Sequence, residues 1–265
     1  MDGCFEPDGD NHAVHVYGDP GNPPIVLLHG LRLGAAIWRE HAPALSTEFF
    51  VLVPDLPGHA ASAAMRFDPR SCEALLREAI RRHCMQPPLI VGYSMGGYVA
   101  MRYTRDHPAD SAALLLGGCT FDFNGVWGGA YKSLATLLSR LPRPMLDALL
   151  ASYFRARLPK SVADAIVPLR FNQHVFETSA EFAMEEPYSE SLRGYGKPVL
   201  VVNGAWDALF RSQERRFARA MHAEIAIVRG SDHAAPLRRP AEFCDIVRTF
   251  ARKVFTTADA STGSA

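Results

Sequence analysis

The chain has little that would commit it to a charged partner or an oxidising compartment. Lys plus Arg and Asp plus Glu balance at 28 each over 265 residues, so no net field recruits nucleic acid or anionic lipid. No apolar run approaches the roughly 20 residues that span a bilayer. Met1 to His12 is polar and acidic, without the basic start and apolar core of a signal peptide. The five cysteines (Cys4, Cys72, Cys84, Cys119 and Cys244) are odd in number, scattered, and form no C-x-x-C pair. Reduced thiols suit that pattern better than a disulfide framework or a zinc site. The expectation is a soluble, cytoplasmic protein with no membrane segment and no nucleic-acid partner.

What is present is alternation. Unbroken aliphatic runs stand at Ile25 to Leu28, Phe49 to Val53, Leu89 to Val91, Ala112 to Leu116, Val199 to Val202 and Ile225 to Val228. Strands buried on both faces of a parallel sheet read this way. Helical periods lie between them at Ser71 to Cys84, Met95 to Asp106, Arg211 to Met221 and Pro240 to Val254. Such alternation predicts right-handed βαβ units in an α/β fold with a doubly wound, mostly parallel sheet. His12 to Tyr17 predicts an antiparallel edge strand.

One stretch breaks the rhythm. Residues 122–193 hold no strand-like run, only helical patterns at Tyr131 to Leu141, Arg143 to Arg157 and Ser161 to Phe171. An insertion of roughly 70 residues exceeds an ordinary connection. We read it as a helical cap on a core formed by 1–121 and 194–256, with 257–265 as a disordered tail.

The chemistry concentrates at three strand ends. Ser94 follows an apolar strand and opens a helix in Gly92-Tyr93-Ser94-Met95-Gly96. A serine nucleophile needs this tight turn, with small residues before and after it, so that its hydroxyl projects above the sheet. It also needs a base. His233 stands beyond the last strand, and the loops beyond the carboxyl ends of parallel strands gather at one edge. A carboxylate must then hold the imidazole. Asp207, after the fifth strand, is the first candidate; Asp122, after the fourth, competes, and Asp232 adjoins His233. The backbone amides of Leu31 and Met95 are the candidate oxyanion donors. His29 is read as a brace for its loop.

These segments resemble the α/β-hydrolase superfamily in its serine-nucleophile branch. The resemblance is carried by His29-Gly30, Asp55-Leu56-Pro57-Gly58-His59, Gly92 to Gly97, Asn203 to Asp207, and Asp232-His233, in the chain order Ser, Asp, His. It implies an α/β-hydrolase fold, with an eight-stranded sheet and a helical cap, and an acyl-enzyme on Ser94, without metal or organic cofactor. Two departures stand out. The segment after Gly58-His59 lacks a second glycine, and the loop at Leu31 lacks the glycine run common in lipases.

The aromatic-rich insertion favours an apolar pocket. Trp127, Tyr131 and Trp206 are candidate substrate-binding residues, with Arg32 as a possible carboxylate clamp. The expected partner is a small to medium hydrophobic carbonyl compound: an ester, lactone or thioester. A carrier-protein thioesterase would add an acyl carrier protein. Non-hydrolytic work on the same scaffold (carbon–carbon cleavage, lyase, cyclase or perhydrolase chemistry) and a receptor with little turnover remain alternatives.

Overall fold

The computed structural model describes residues 5–7 and 13–262. Strands β1 (Phe5–Pro7), β2 (Ala13–Tyr17), β3 (Pro24–Leu28), β4 (Phe50–Pro54), β5 (Leu89–Tyr93), β6 (Ala113–Gly117), β7 (Val199–Gly204) and β8 (Glu224–Val228) form one sheet. Among the described residues its order is β1-β2-β4-β3-β5-β6-β7-β8. The β1–β2 and β2–β4 pairings are antiparallel, and every pairing from β4 through β8 is parallel. His12, expected to start the edge strand, lies outside the described residues.

The aliphatic runs are continuous because both faces of the sheet are covered. Val26, Leu28, Leu52, Ile90, Leu114 and Leu116 point into one core layer. Their neighbours Ile25, Leu27, Val51, Val91 and Leu115 point into the other, beside Trp38 and Phe243. Each such side chain contributes about 1.5–3 kcal/mol on burial. β8, at the edge, is the exception, with Ile225 41% exposed.

Helices α1 (His41–Leu45), α2 (Pro69–His83) and α3 (Met95–Asp106) connect the first strands. α2 starts two residues earlier than Ser71 because the Asp68 side chain caps it, accepting from the Ser71 amide at 2.9 Å, with Pro69 in its first turn. The insertion between β6 and β7 folds as α4 (Gly125–Arg140), α5 (Arg143–Arg157), α6 (Lys160–Ile166), α7 (Val175–Met184) and α8 (Tyr188–Ser191). α7 has no counterpart in the predicted elements, and α6 stops before Pro168 instead of reaching Phe171.

The helix expected over Arg211 to Met221 is two pieces, α9 (Ala208–Arg211) and α10 (Glu214–Met221). Asp207 caps the first piece, and the chain turns at Ser212 and Gln213. After α11 (Ala235–Arg238), α12 (Pro240–Thr262) runs on through the stretch expected to be disordered from 257. No proline or glycine interrupts it before Gly263. Among the described residues, no helix is long and apolar enough to cross a membrane.

Candidate active site

The turn after β5 holds Ser94 at φ 54° and ψ −120°. A non-glycine residue there carries strain of order 1–3 kcal/mol, which the surrounding structure must over-determine. The close approach explains how. A Cβ at Gly96 would lie 2.6 Å from the carbonyl oxygens of Leu28 and His29, so α3 packs directly on the backbone leaving β3. The Ser94 amide donates to the Gly117 carbonyl at 2.7 Å, tying the turn to the end of β6.

His233 comes from the loop after β8 and stands with Nε2 3.0 Å from Ser94 Oγ. Its Nδ1 is 3.0 Å from Asp207 Oδ2. Asp207 leaves β7 buried, while the imidazole side chain stays 40% exposed toward the cavity. Two aromatic rings seat the imidazole. Phe210 stacks on it at 4.7 Å and 17°, and Tyr93 lies at 5.4 Å with its hydroxyl donating to the His233 carbonyl at 3.0 Å. Burial pushes the Tyr93 phenol far above its ordinary range, so this donor keeps its proton. The stack on Phe210 and the Tyr93 bond were not anticipated, although Tyr93 stands inside the motif itself.

The competing carboxylates are engaged elsewhere. Asp122 is buried and accepts from the Ser189 amide at 3.0 Å and the Ser189 hydroxyl at 2.5 Å, with Arg216 at 3.4 Å. Asp232 caps the Ala234 amide at 3.1 Å and pairs with Arg238 at 3.4 Å. His29 is fully buried. Its Nδ1 donates to the Gly30 carbonyl at 2.8 Å, and its Nε2 accepts from the Leu56 amide at 2.9 Å. That braces the loop and leaves neither nitrogen free for catalysis.

Residues 30–33 form a turn closed by the Leu33 amide on the Gly30 carbonyl at 3.3 Å, with Arg32 at φ 62° in its third position. A Cβ at Gly30 would lie 3.2 Å from Ser94 Cβ, so Leu31 follows the residue beside the candidate nucleophile. Met95 is the first residue of α3, where amides lack a partner within the helix.

A cavity of about 510 Å³ opens beside Ser94. Arg32 and Trp206 line it, along with Leu150, Tyr153 and Phe154 from α5. Trp127 and Tyr131 do not. Tyr131 turns inward to stack on Phe123 at 4.4 Å, and Trp127 faces outward, 64% exposed. The pocket wall is therefore α5 rather than α4.

Residues 25–246 match the family model described as the alpha/beta hydrolase family. The chain belongs to that family. It is 31% identical over 128 residues to a magnesium-chelatase 30 kDa subunit of Rhodobacter capsulatus, covering 47% of this chain and 45% of that one. It is 38% identical over 95 residues to a pimeloyl-[acyl-carrier protein] methyl ester esterase of Chromobacterium violaceum, covering 36% of each. The chain thus spans less than half the length of these two relatives. A 2-succinyl-6-hydroxy-2,4-cyclohexadiene-1-carboxylate synthase of Salmonella typhimurium is 26% identical over 88% of this chain and 96% of its own. Among solved structures, a carboxylesterase of Nitrososphaera gargenis superposes with TM-score 0.76 at 19% identity, covering 96% of this chain and 100% of that one; at that identity the likeness is one of fold.

Proposed function

We propose that the chain is a serine-dependent ester hydrolase acting on a small or medium carboxylic ester, lactone or thioester through an acyl-enzyme on Ser94. The observation that carries this reading is the continuous relay from Ser94 Oγ through His233 to Asp207, with 3.0 Å at each step, opening into a cavity that can hold an acyl group.

Ser94 Oγ attacks the carbonyl carbon as His233 Nε2 takes its proton, and the imidazolium is held by Asp207. The oxygen of the tetrahedral intermediate takes hydrogen bonds from the amides of Leu31 and Met95, at the positive end of α3. His233 then returns the proton to the leaving alcohol or thiol. Water enters, gives its proton to the same nitrogen, and attacks the acyl carbon, releasing the acid and restoring Ser94. Asp207 stays ionised throughout and fixes which imidazole nitrogen faces the serine.

The esterase named among the relatives acts, by its name, on an acyl group carried by a protein. An acyl carrier protein is thus a candidate second partner, presenting its acyl chain at the mouth formed by Trp206 and Tyr153. A lyase or synthase reading draws on the Salmonella relative, whose length the chain nearly spans. Fluorophosphonate labelling followed by a p-nitrophenyl ester series separates the classes. Labelling at Ser94 with ester turnover supports the hydrolase; labelling without turnover moves the assignment to the lyase class; no labelling of folded protein removes the serine mechanism altogether.

A further inference from the structure

The guanidinium of Arg32 is buried in the wall of the Ser94 cavity, and its side-chain chemistry is not satisfied by the protein. The residue is 4% exposed, and both Nε and Nη1 are buried with no hydrogen-bond acceptor. A guanidinium carries five N–H donors in a rigid fork, and leaving a buried charged donor empty is costly. Its guanidinium lies over the ring of Phe171, 3.8 Å from the centroid.

That ring is itself immobilised. Phe171 bridges to His59, the Asn172 amide donates to the Gly58 carbonyl at 2.8 Å, and the Ala60 amide donates to the Arg170 carbonyl at 2.7 Å. Arg143 lies over the same ring at 4.1 Å. The contrast between the two cations is informative. Arg143 has two acceptors, Asp147 at 2.9 Å and the Phe171 carbonyl at 2.9 Å. Asp147 acts on Arg32 through space without a bond. Burial draws the Arg32 pKa down to about 10, with Asp147 opposing and Arg143 assisting, so the group remains a cation at neutral pH.

The other charges lining the cavity do not neutralise it. Asp207 is taken by His233 and Asp232 by Arg238, while Arg157 adds a further cation at the rim. Arg32 also follows Leu31, the proposed oxyanion donor, on the same turn.

We propose that Arg32 is a carboxylate-recognition residue, and that the substrate is an ester or thioester whose acyl part carries a free carboxylate: a hemiester of a dicarboxylic acid. A guanidinium stacked on Phe171 in the cavity wall can meet an entering carboxylate in charge-assisted hydrogen bonds. This rests on the esterase reading and narrows it from a wholly apolar acyl group to one with an anionic end.

The test compares kcat/KM for monomethyl succinate, glutarate and adipate with that for the isosteric neutral monoamide methyl esters. Wild-type protein is expected to prefer the acid at the best chain length by about tenfold or more, the range of a charge-assisted hydrogen bond. In Arg32→Met that ratio falls to about one, and in Arg32→Lys it is intermediate, because an ammonium supplies charge without the fork. A wild-type ratio near one, or the same ratio in Arg32→Met, overturns the proposal. If Arg32→Met does not fold, the wild-type ratio and competitive inhibition by glutarate against glutaramide decide alone. If no ester is turned over at all, calorimetric binding of glutarate to Ser94→Ala protein separates the two readings. Glutarate binding at least tenfold tighter than glutaramide keeps the carboxylate site while the hydrolase reading fails; equal binding removes the site.

Discussion

Phe210 lies face to face with His233, their ring centroids 4.7 Å apart and their planes 17° from parallel. The proposed base is thereby held at Nδ1 by its carboxylate and on one face by a ring from α9, the short helix that Asp207 caps. Replacing Phe210 with Ala opens space beside the imidazole and removes a stacking pair worth about 0.5–1.5 kcal/mol. The expected result is a kcat lowered roughly tenfold with KM changed far less, measured on the best ester of the series.

The two candidate acids separate cleanly. Asp207→Asn leaves the imidazole without its anionic partner, and kcat is expected to fall by about 10³- to 10⁴-fold with little change in thermal midpoint. Asp122→Asn disturbs the buried contacts to Ser189 and Arg216. Its effect is expected on stability, about 1–3 kcal/mol, with kcat largely kept. Thermal melts paired with steady-state kinetics check both, and the opposite pattern would reassign the acid.

Ser94 sits at φ 54°, where glycine is comfortable and alanine is not. Neither Ser94→Gly nor Ser94→Ala has a hydroxyl, so both are expected to be inactive and refractory to fluorophosphonate. They should differ in stability, the glycine variant being firmer by about 1 kcal/mol because the strain is relieved. Differential scanning calorimetry of the two proteins measures this, and an alanine variant as stable as the glycine variant would show the turn to be unstrained.

Acid sensitivity follows from two histidines that burial keeps neutral. His41, packed against Trp38 and Phe243, is pushed down to about 4, and His59, buried beside His29, to about 3. Between these values and the ordinary 6.5, the unfolded chain binds protons that the folded chain does not. Stability therefore rises with pH through this window and is complete above about 6.5. As the pH falls from 6.5 toward 4, each histidine withdraws up to about 1.4 kcal/mol per pH unit. Denaturant melts at pH 7, 6 and 5 should show a falling midpoint, and His41→Phe should flatten part of the slope.

The sheet was legible in the residues because period and burial speak through composition. Runs such as Ile25 to Leu28 are aliphatic at every position only when both faces are covered, and their ends then locate Ser94, Asp207 and His233 at one edge. Side-chain direction within the insertion was not legible. Tyr131 and Trp127 sit on one helix, yet one stacks on Phe123 and the other faces water, a choice made by packing between α4 and α7 that no local pattern encodes. Helix α7 escaped for a related reason: Val175, Thr178 and Ser179 weaken its intrinsic signal, and buried Phe176, Ala180 and Phe182 hold it in place. Arg32 was visible as a residue of interest, but its unfilled nitrogens were not, because burial on Phe171 depends on a contact across some 140 residues of chain.

The insertion leaves the sheet at the end of β6 and rejoins it at β7, and those two strands are adjacent, with Leu114 opposite Val199. Both ends of the helical segment therefore meet the sheet at one seam, and a bridge from Phe171 to His59 ties its middle to the core. Lengthening, shortening or exchanging it leaves the pairings among β1 to β8 in place, since both of its ends join neighbouring strands. The proposed reacting groups come with the strands, and Leu150, Tyr153 and Phe154 of the pocket wall come with the insert. A chimera carrying a foreign segment between β6 and β7 would keep the serine, histidine and aspartate in register while presenting them to a different clientele.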